Sequence, residues 1–115
     1  MKHYLKFVSA FVFVIMLCSA ANAALPSITL LSTKSCPACD QMAQVLKEIN
    51  SKYKGKISTS SVSLENHPEI AKKYNVRFAP TLIFKDASGK DFAQEVGYKS
   101  LQDVIAIFKN AGVKI

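Results

Sequence analysis

Two cysteines three positions apart, in the run Cys36-Pro37-Ala38-Cys39, are the residues of this 115-residue chain whose type and spacing carry chemistry. Placed at the start of a helix, such a pair falls on one face, close enough to bridge, and so makes a reversible dithiol. The unpaired N–H groups and the positive dipole end of that helix favour a negative sulfur at Cys36, expected in the first turn. Cys36 is therefore the expected attacking thiolate, and Cys39, one turn further in, the residue that resolves a mixed disulfide. Lys34 favours the anion and Asp40 opposes it.

Other uses of the same pair make distinct demands. A structural zinc site needs four ligands, and beyond the pair only His67 is available downstream of the N-terminal segment. An inert disulfide closing so short a loop would constrain the unfolded chain little. A Cu(I) carrier is the more serious rival, because two soft thiolates suit that ion. Met42 would be its third soft ligand, but Met42 belongs to an apolar stripe and reads as core. No metal site is assigned.

The elements that must position the dithiol can be read from periodicity. Ile28 to Ser32 is a short apolar run that enters the polar turn Thr33-Lys34-Ser35, as a strand entering a loop would. Pro37 and Ala38 open a helix whose apolar positions Met42, Val45, Leu46, Ile49 and Tyr53 recur three and four apart. Lys54-Gly55-Lys56 stops it. A second strand is predicted over Ile57 to Leu64. Next comes a short helix capped by Asn66 or His67, with Pro68 in its first turn, Ile70, Ala71 and Tyr74 on its buried side, and an end near Asn75.

Thr81-Leu82-Ile83-Phe84 lacks alternation, as expected of a central strand covered on both faces. After the turn Asp86 to Lys90, Phe92, Gln94 and Val96 alternate with Ala93 and Glu95, which predicts an antiparallel edge strand ended by Gly97. Ser100 with Asp103 reads as a capping box ahead of a final helix bearing Leu101, Val104, Ile105 and Phe108, closed by Gly112. The order βαβ, helix, ββα buries an apolar sheet between helices in one α/β domain.

The first 23 residues read differently. Lys2 and Lys6 precede an apolar run from Phe7 to Leu17, and Ala21-Asn22-Ala23 forms a cleavage pattern, so 1–23 is read as a secretory signal peptide and 24–115 as the domain. The run is short of the about 20 residues a membrane span requires, leaving an uncleaved anchor as the alternative. Cys18 lies in this segment, so the domain keeps only Cys36 and Cys39. Export to the periplasm or the extracellular space is the expectation. Fifteen Lys plus Arg against eight Asp plus Glu give a net charge of +7, and losing Lys2 and Lys6 leaves +5. The lysines are scattered without a block of like charge, which argues for a solvated surface and against a nucleic-acid partner.

The whole segment after residue 23 resembles a thioredoxin-family domain. Ile28 to Ser32 is similar to the strand before the redox motif, Cys36-Pro37-Ala38-Cys39 to its active site, Ala79-Pro80-Thr81 to the cis-proline loop, His67 to Val76 to the helix leading into that loop, and Gly97 to the glycine closing the last strand. Pro80 stands 44 positions after Cys36. The resemblance implies a thioredoxin fold, with a central mixed four-stranded sheet flanked by helices in the order β-α-β-α-β-β-α. It implies disulfide exchange with protein thiol or disulfide substrates, with no cofactor, in which Ala79, Pro80 and Thr81 orient the substrate chain. A monomer recharged by a membrane-bound redox partner is expected. Two departures stand out: Leu30 occupies the place where the family's reductases commonly carry a buried acid, and Ser35 that of the tryptophan before the motif. Water or another group such as Glu65 would then serve proton transfer at Cys39. No glycine pair for glutathione is present, and 92 residues leave no room for a large helical insertion. A Cu(I)-binding or dedicated adaptor domain is the alternative function.

Overall fold

A computed structural model describes residues 24–115; the N-terminal segment read as a signal peptide lies outside them. The described residues form β1 (Ser27–Ser32), α1 (Pro37–Lys52), β2 (Ser58–Ser63), α2 (Pro68–Lys73), β3 (Thr81–Lys85), β4 (Asp91–Val96) and α3 (Leu101–Asn110). The strands make one mixed sheet in the order β2-β1-β3-β4. β1 and β2 are parallel, which requires a crossover, and α1 supplies it. β3 runs antiparallel to both β1 and β4.

The two central strands carry the core because their apolar residues are covered on both faces. Ile28 and Leu30 of β1 and Leu82 and Phe84 of β3 join Met42, Val45, Leu46 and Ile49 of α1 and Val104, Ile105 and Phe108 of α3 in one buried cluster. The helical stripes at spacings of three and four thus meet the sheet as predicted. Phe84 and Phe108 pack edge to face with ring centroids 5.3 Å apart, and Phe92 lies 5.7 Å from Phe108.

The strict alternation expected for β4 fails at its start. A register shift falls between Phe84 and Lys85, where Phe84 pairs with Ala93 but Lys85 with Asp91. Phe92 is the extra residue. Both Phe92 and Ala93 pack against the core cluster, instead of Phe92 sharing a face with Gln94 and Val96.

α2 is a single short helix with no fully buried residue, so Ile70, Ala71 and Tyr74 are half-buried rather than core. His67 is its N-cap residue, yet its side chain makes no capping bond; Nδ1 lies 3.2 Å from Glu69 Oε1 instead. α3 has the predicted capping box: the Asp103 amide donates to Ser100 Oγ at 3.1 Å, and the Ser100 amide to Asp103 Oδ2 at 3.3 Å.

Candidate functional site

β1 ends at Ser32 and the chain turns through Thr33, Lys34 and Ser35 into α1. Ser35 holds a φ of +54°, a conformation that a residue with a Cβ adopts at a cost. The turn is held from the β2 side. The Leu64 amide donates to Ser32 O at 2.9 Å, and both carboxylate oxygens of Glu65 accept from the Lys34 amide, at 3.1 and 3.2 Å. Glu65, expected as a proton carrier for Cys39, is thus an exposed side chain fastening the loop ahead of Cys36.

Cys36 is not in the first turn of α1 but is its N-cap, with extended backbone and Pro37 following at the first helical position. The Cys39 amide donates to Cys36 Sγ at 3.1 Å, so sulfur takes the place that a serine or aspartate oxygen usually holds at a helix start. The cap thereby places Cys36 Sγ against the unpaired donors of the first turn, where negative charge is favoured. The two cysteines are joined as a disulfide, their Cα atoms 5.2 Å apart. Cys36 is half-exposed and Cys39 only 4% exposed, so the first cysteine is open to solvent and the second is buried. Asp40 is exposed in the first turn.

The second half of the site arrives by way of the sheet. Leu31 pairs with Thr81, so the end of β1 that leads to Cys36 lies beside the start of β3, and the Ala79–Pro80–Thr81 segment enters at that same end. The Ala79–Pro80 peptide bond is cis, Pro80 and Thr81 are buried, and Ala79 is half-exposed. Thr81 Oγ1 donates to Phe78 O at 2.7 Å, and the Gly97 amide to Pro80 O at 2.8 Å, which ties this loop to the end of β4. Leu30, 1% exposed, sits in the core cluster with Met42, which follows Cys39 by three positions on α1. Met42 is itself fully buried, and its Sδ accepts from the Lys99 amide at 3.4 Å.

A family model described as a thioredoxin-like domain matches residues 16–112. The chain belongs to the thioredoxin-like family. Thioredoxin C-2 of Corynebacterium nephridii is 40% identical over 63 residues, covering 54% of this chain and 56% of that protein. A thioredoxin of Staphylococcus aureus is 33% identical over 73 residues, covering 63% of this chain and 68% of that one. The chain therefore spans little more than half the length of the first of these relatives. Among solved structures, an uncharacterized thioredoxin-like protein from Clostridium perfringens superposes with a TM-score of 0.70 at 28% identity, covering 82% of this chain and 76% of that one. A thioredoxin-like domain with a bonded Cys36–Cys39 pair supports thiol–disulfide redox chemistry in general.

Three features of the site were beyond sequence reasoning. Glu65 reaches the Lys34 amide across 31 positions and Lys99 reaches Met42 across 57, pairings that no local pattern announces. The third is the exposure of Phe78 and Tyr98 on the proline loop and just beyond Gly97; an aromatic beside each of those turns was the available signal.

Proposed function

We propose that this protein is an exported thiol–disulfide oxidoreductase acting on protein substrates. The observation that carries the reading is the asymmetry of the pair: a half-exposed Cys36 capping α1, bonded to a buried Cys39. In the reducing direction, the Cys36 thiolate attacks one sulfur of a substrate disulfide, and the other sulfur leaves as a thiolate and takes up a proton. The Cys39 thiol then gives up its proton and attacks Cys36 Sγ, releasing the second substrate thiolate and restoring the Cys36–Cys39 disulfide; two electrons pass to the substrate. The oxidising direction is the reverse. The cis Ala79–Pro80 segment offers the backbone of Ala79 to a substrate strand, while Pro80 presents no donor.

Engagement of Met42 Sδ by the Lys99 amide, in a fully buried position, supports this reading over Cu(I) binding, which would want that sulfur free beside the thiolates. The test is trapping. In a Cys18→Ser background, Cys39→Ser is expected to accumulate mixed disulfides through Cys36, and Cys36→Ser to lose exchange altogether. Alkylation of Cys39 alone in the reduced protein at neutral pH, with Cys36 inert, would reverse the roles.

A further inference from the structure

The lysines are scattered along the sequence but not over the fold. β1, β2 and β4 begin, and α1, β3 and α3 end, at the end of the domain away from Cys36. Backbone bonds knit that end together: the Ser58 amide donates to Pro26 O, the Lys56 amide to Tyr53 O and the Asp86 amide to Lys90 O, each at 2.9 Å. Pro26, Ser88 and Lys114 line one surface hollow there, and Tyr53 and Lys109 line another. Lys52, Lys54, Lys56, Lys85, Lys90, Lys109 and Lys114 therefore share this pole.

Three acidic side chains stand with them, and each is engaged. Glu48 lies 3.8 Å from Lys52 and Asp91 2.8 Å from Lys85, while Asp86 accepts from the Ser88 and Lys90 amides at 3.0 and 3.1 Å. Lys54, Lys56, Lys90, Lys109 and Lys114 are exposed and in no ion pair among the described residues. Elsewhere among those residues six cationic side chains stand against five acidic ones, so the positive balance of the domain collects at one pole.

The chain enters the domain at the same pole. Leu25, 43% exposed, precedes β1 there, and the sequence ahead of it carries the apolar run Phe7 to Leu17. An apolar segment followed by a cationic surface supplies the two signals that together hold a protein on an anionic bilayer, where either alone binds weakly. A nucleic acid would meet the charge but not the apolar residues. From this pole α1 runs sixteen residues back to its cap at Cys36, which at about 1.5 Å per residue sets the dithiol about 24 Å away. Screening at physiological salt acts within about 8 Å. A thiolate at Cys36 thus stands clear of lipid charge that would disfavour it.

We infer that the pole bearing Lys54, Lys56, Lys90, Lys109 and Lys114 rests on an anionic phospholipid surface, with the dithiol turned away toward solvent. The inference concerns where the site is held and does not depend on the oxidoreductase reading.

The experiment uses the full chain with Cys18→Ser and vesicles of phosphatidylcholine, alone or with about one third phosphatidylserine. Neutral vesicles report the apolar segment by itself, and the gain on adding phosphatidylserine reports the pole. A lysine near such a surface is worth roughly fivefold in binding, so the gain is expected to reach about a hundredfold and to shrink to a few-fold in Lys54→Gln with Lys56→Gln and Lys90→Gln. Lys47→Gln with Lys72→Gln and Arg77→Gln, the same change of charge elsewhere on the surface, should leave most of it. In the reduced chain, a maleimide on a bulky polyethylene glycol should alkylate Cys36 as fast on the anionic vesicles as in solution. Equal binding to the two kinds of vesicle, equal losses in the two triple variants, or protection of Cys36 by the vesicles would overturn the inference. Tighter binding of the pole to a DNA duplex than to the anionic vesicles at the same salt would overturn it too. Failure of the chain to exchange with hydroxyethyl disulfide in solution would defeat the oxidoreductase reading and leave this inference standing.

Discussion

Both carboxylate oxygens of Glu65 lie within 3.2 Å of the Lys34 backbone nitrogen, two positions before Cys36. A carboxylate accepting from an amide makes a charge-assisted bond, and here it spans from the turn after β2 to the turn after β1. Ser35, adjacent, sits at φ +54°, so this turn is one that the surrounding structure has to hold. Removing the carboxylate by Glu65→Ala is expected to cost about 1 kcal/mol of stability, the net worth of an exposed bond of this kind. It should also slow Cys36 exchange by loosening the cap. Glu65→Gln, which keeps one acceptor, should do less of both. Denaturant titration and exchange rates of the two variants check this; an alanine variant unchanged in both measurements would show that the turn stands without Glu65.

The reciprocal cap at the start of α3 makes a second prediction. Ser100 and Asp103 each satisfy an amide of the other, and the helix they begin delivers Val104, Ile105 and Phe108 to the core. Ser100→Ala is expected to destabilise by about 1 kcal/mol, and Ser100→Gly by only a few tenths. Combining Ser100→Ala with Asp103→Ala should cost less than the two single changes added, because each removes the same reciprocal arrangement. Simple additivity in urea denaturation would mean that the two bonds act independently.

What could be read in advance follows a physical boundary. The core helices, the apolar central strand and the Ser100–Asp103 cap depend on spacings of two to four residues, and those spacings are written locally. Alternation puts Phe92 on one face with Gln94 and Val96, but a register shift breaks period two there without a glycine or proline to announce it. The spacing points to Cys36 in the first turn, whereas its Sγ does the work of a capping oxygen one position earlier, a role that cysteine rarely signals. Glu65 offers the sequence only its chemistry, because the amide it serves is brought to it by the parallel pairing of β1 with β2.

Lys85 and Asp91 give a pH dependence. Their side chains meet at 2.8 Å between β3 and β4 while remaining 32% and 40% exposed. The hydrogen bond and charge of Lys85 hold the Asp91 carboxyl below its ordinary range, and Asp91 in turn raises the Lys85 ammonium. A lowered aspartate contributes stability above its unfolded pKa and loses it as pH falls through the folded value; a raised lysine contributes below its unfolded pKa and loses it as pH rises through the folded one. The pair therefore acts across the neutral range and fades at both extremes. Solvent screening limits it to roughly 0.5 kcal/mol. Lys85→Met should flatten the acid side of the stability profile relative to the parent; an unaltered acid limb in denaturation midpoints taken from pH 2 to 7 would show that Asp91 gains nothing from Lys85.

Leu30 offers the sharpest test of how the core supports the dithiol. It is 1% exposed, pairs with Leu82 on one side and Ser61 on the other, and packs in the cluster that includes Met42 of the redox helix. Leu30→Asp removes a buried apolar side chain, a loss of about 2 to 5 kcal/mol by itself, and adds a carboxyl among the apolar residues of that cluster. Burial disfavours the charged form, so the new acid should titrate above the ordinary aspartate range. The sign follows from linkage: an acid whose folded pKa is raised binds its proton more tightly when folded, so the variant is least destabilised in acid and loses further stability as pH rises through that folded value. Leu30→Asn is the control, similar in shape and unable to titrate; its stability relative to the parent should not vary with pH over the same interval. Denaturant midpoints of the three proteins from pH 4 to 8 make the comparison, and exchange rates on the same samples show whether a buried proton store near α1 speeds the step at Cys39. Parallel pH profiles for the Asp and Asn variants would mean that position 30 reaches water, and that the apolar floor described beneath α1 is open.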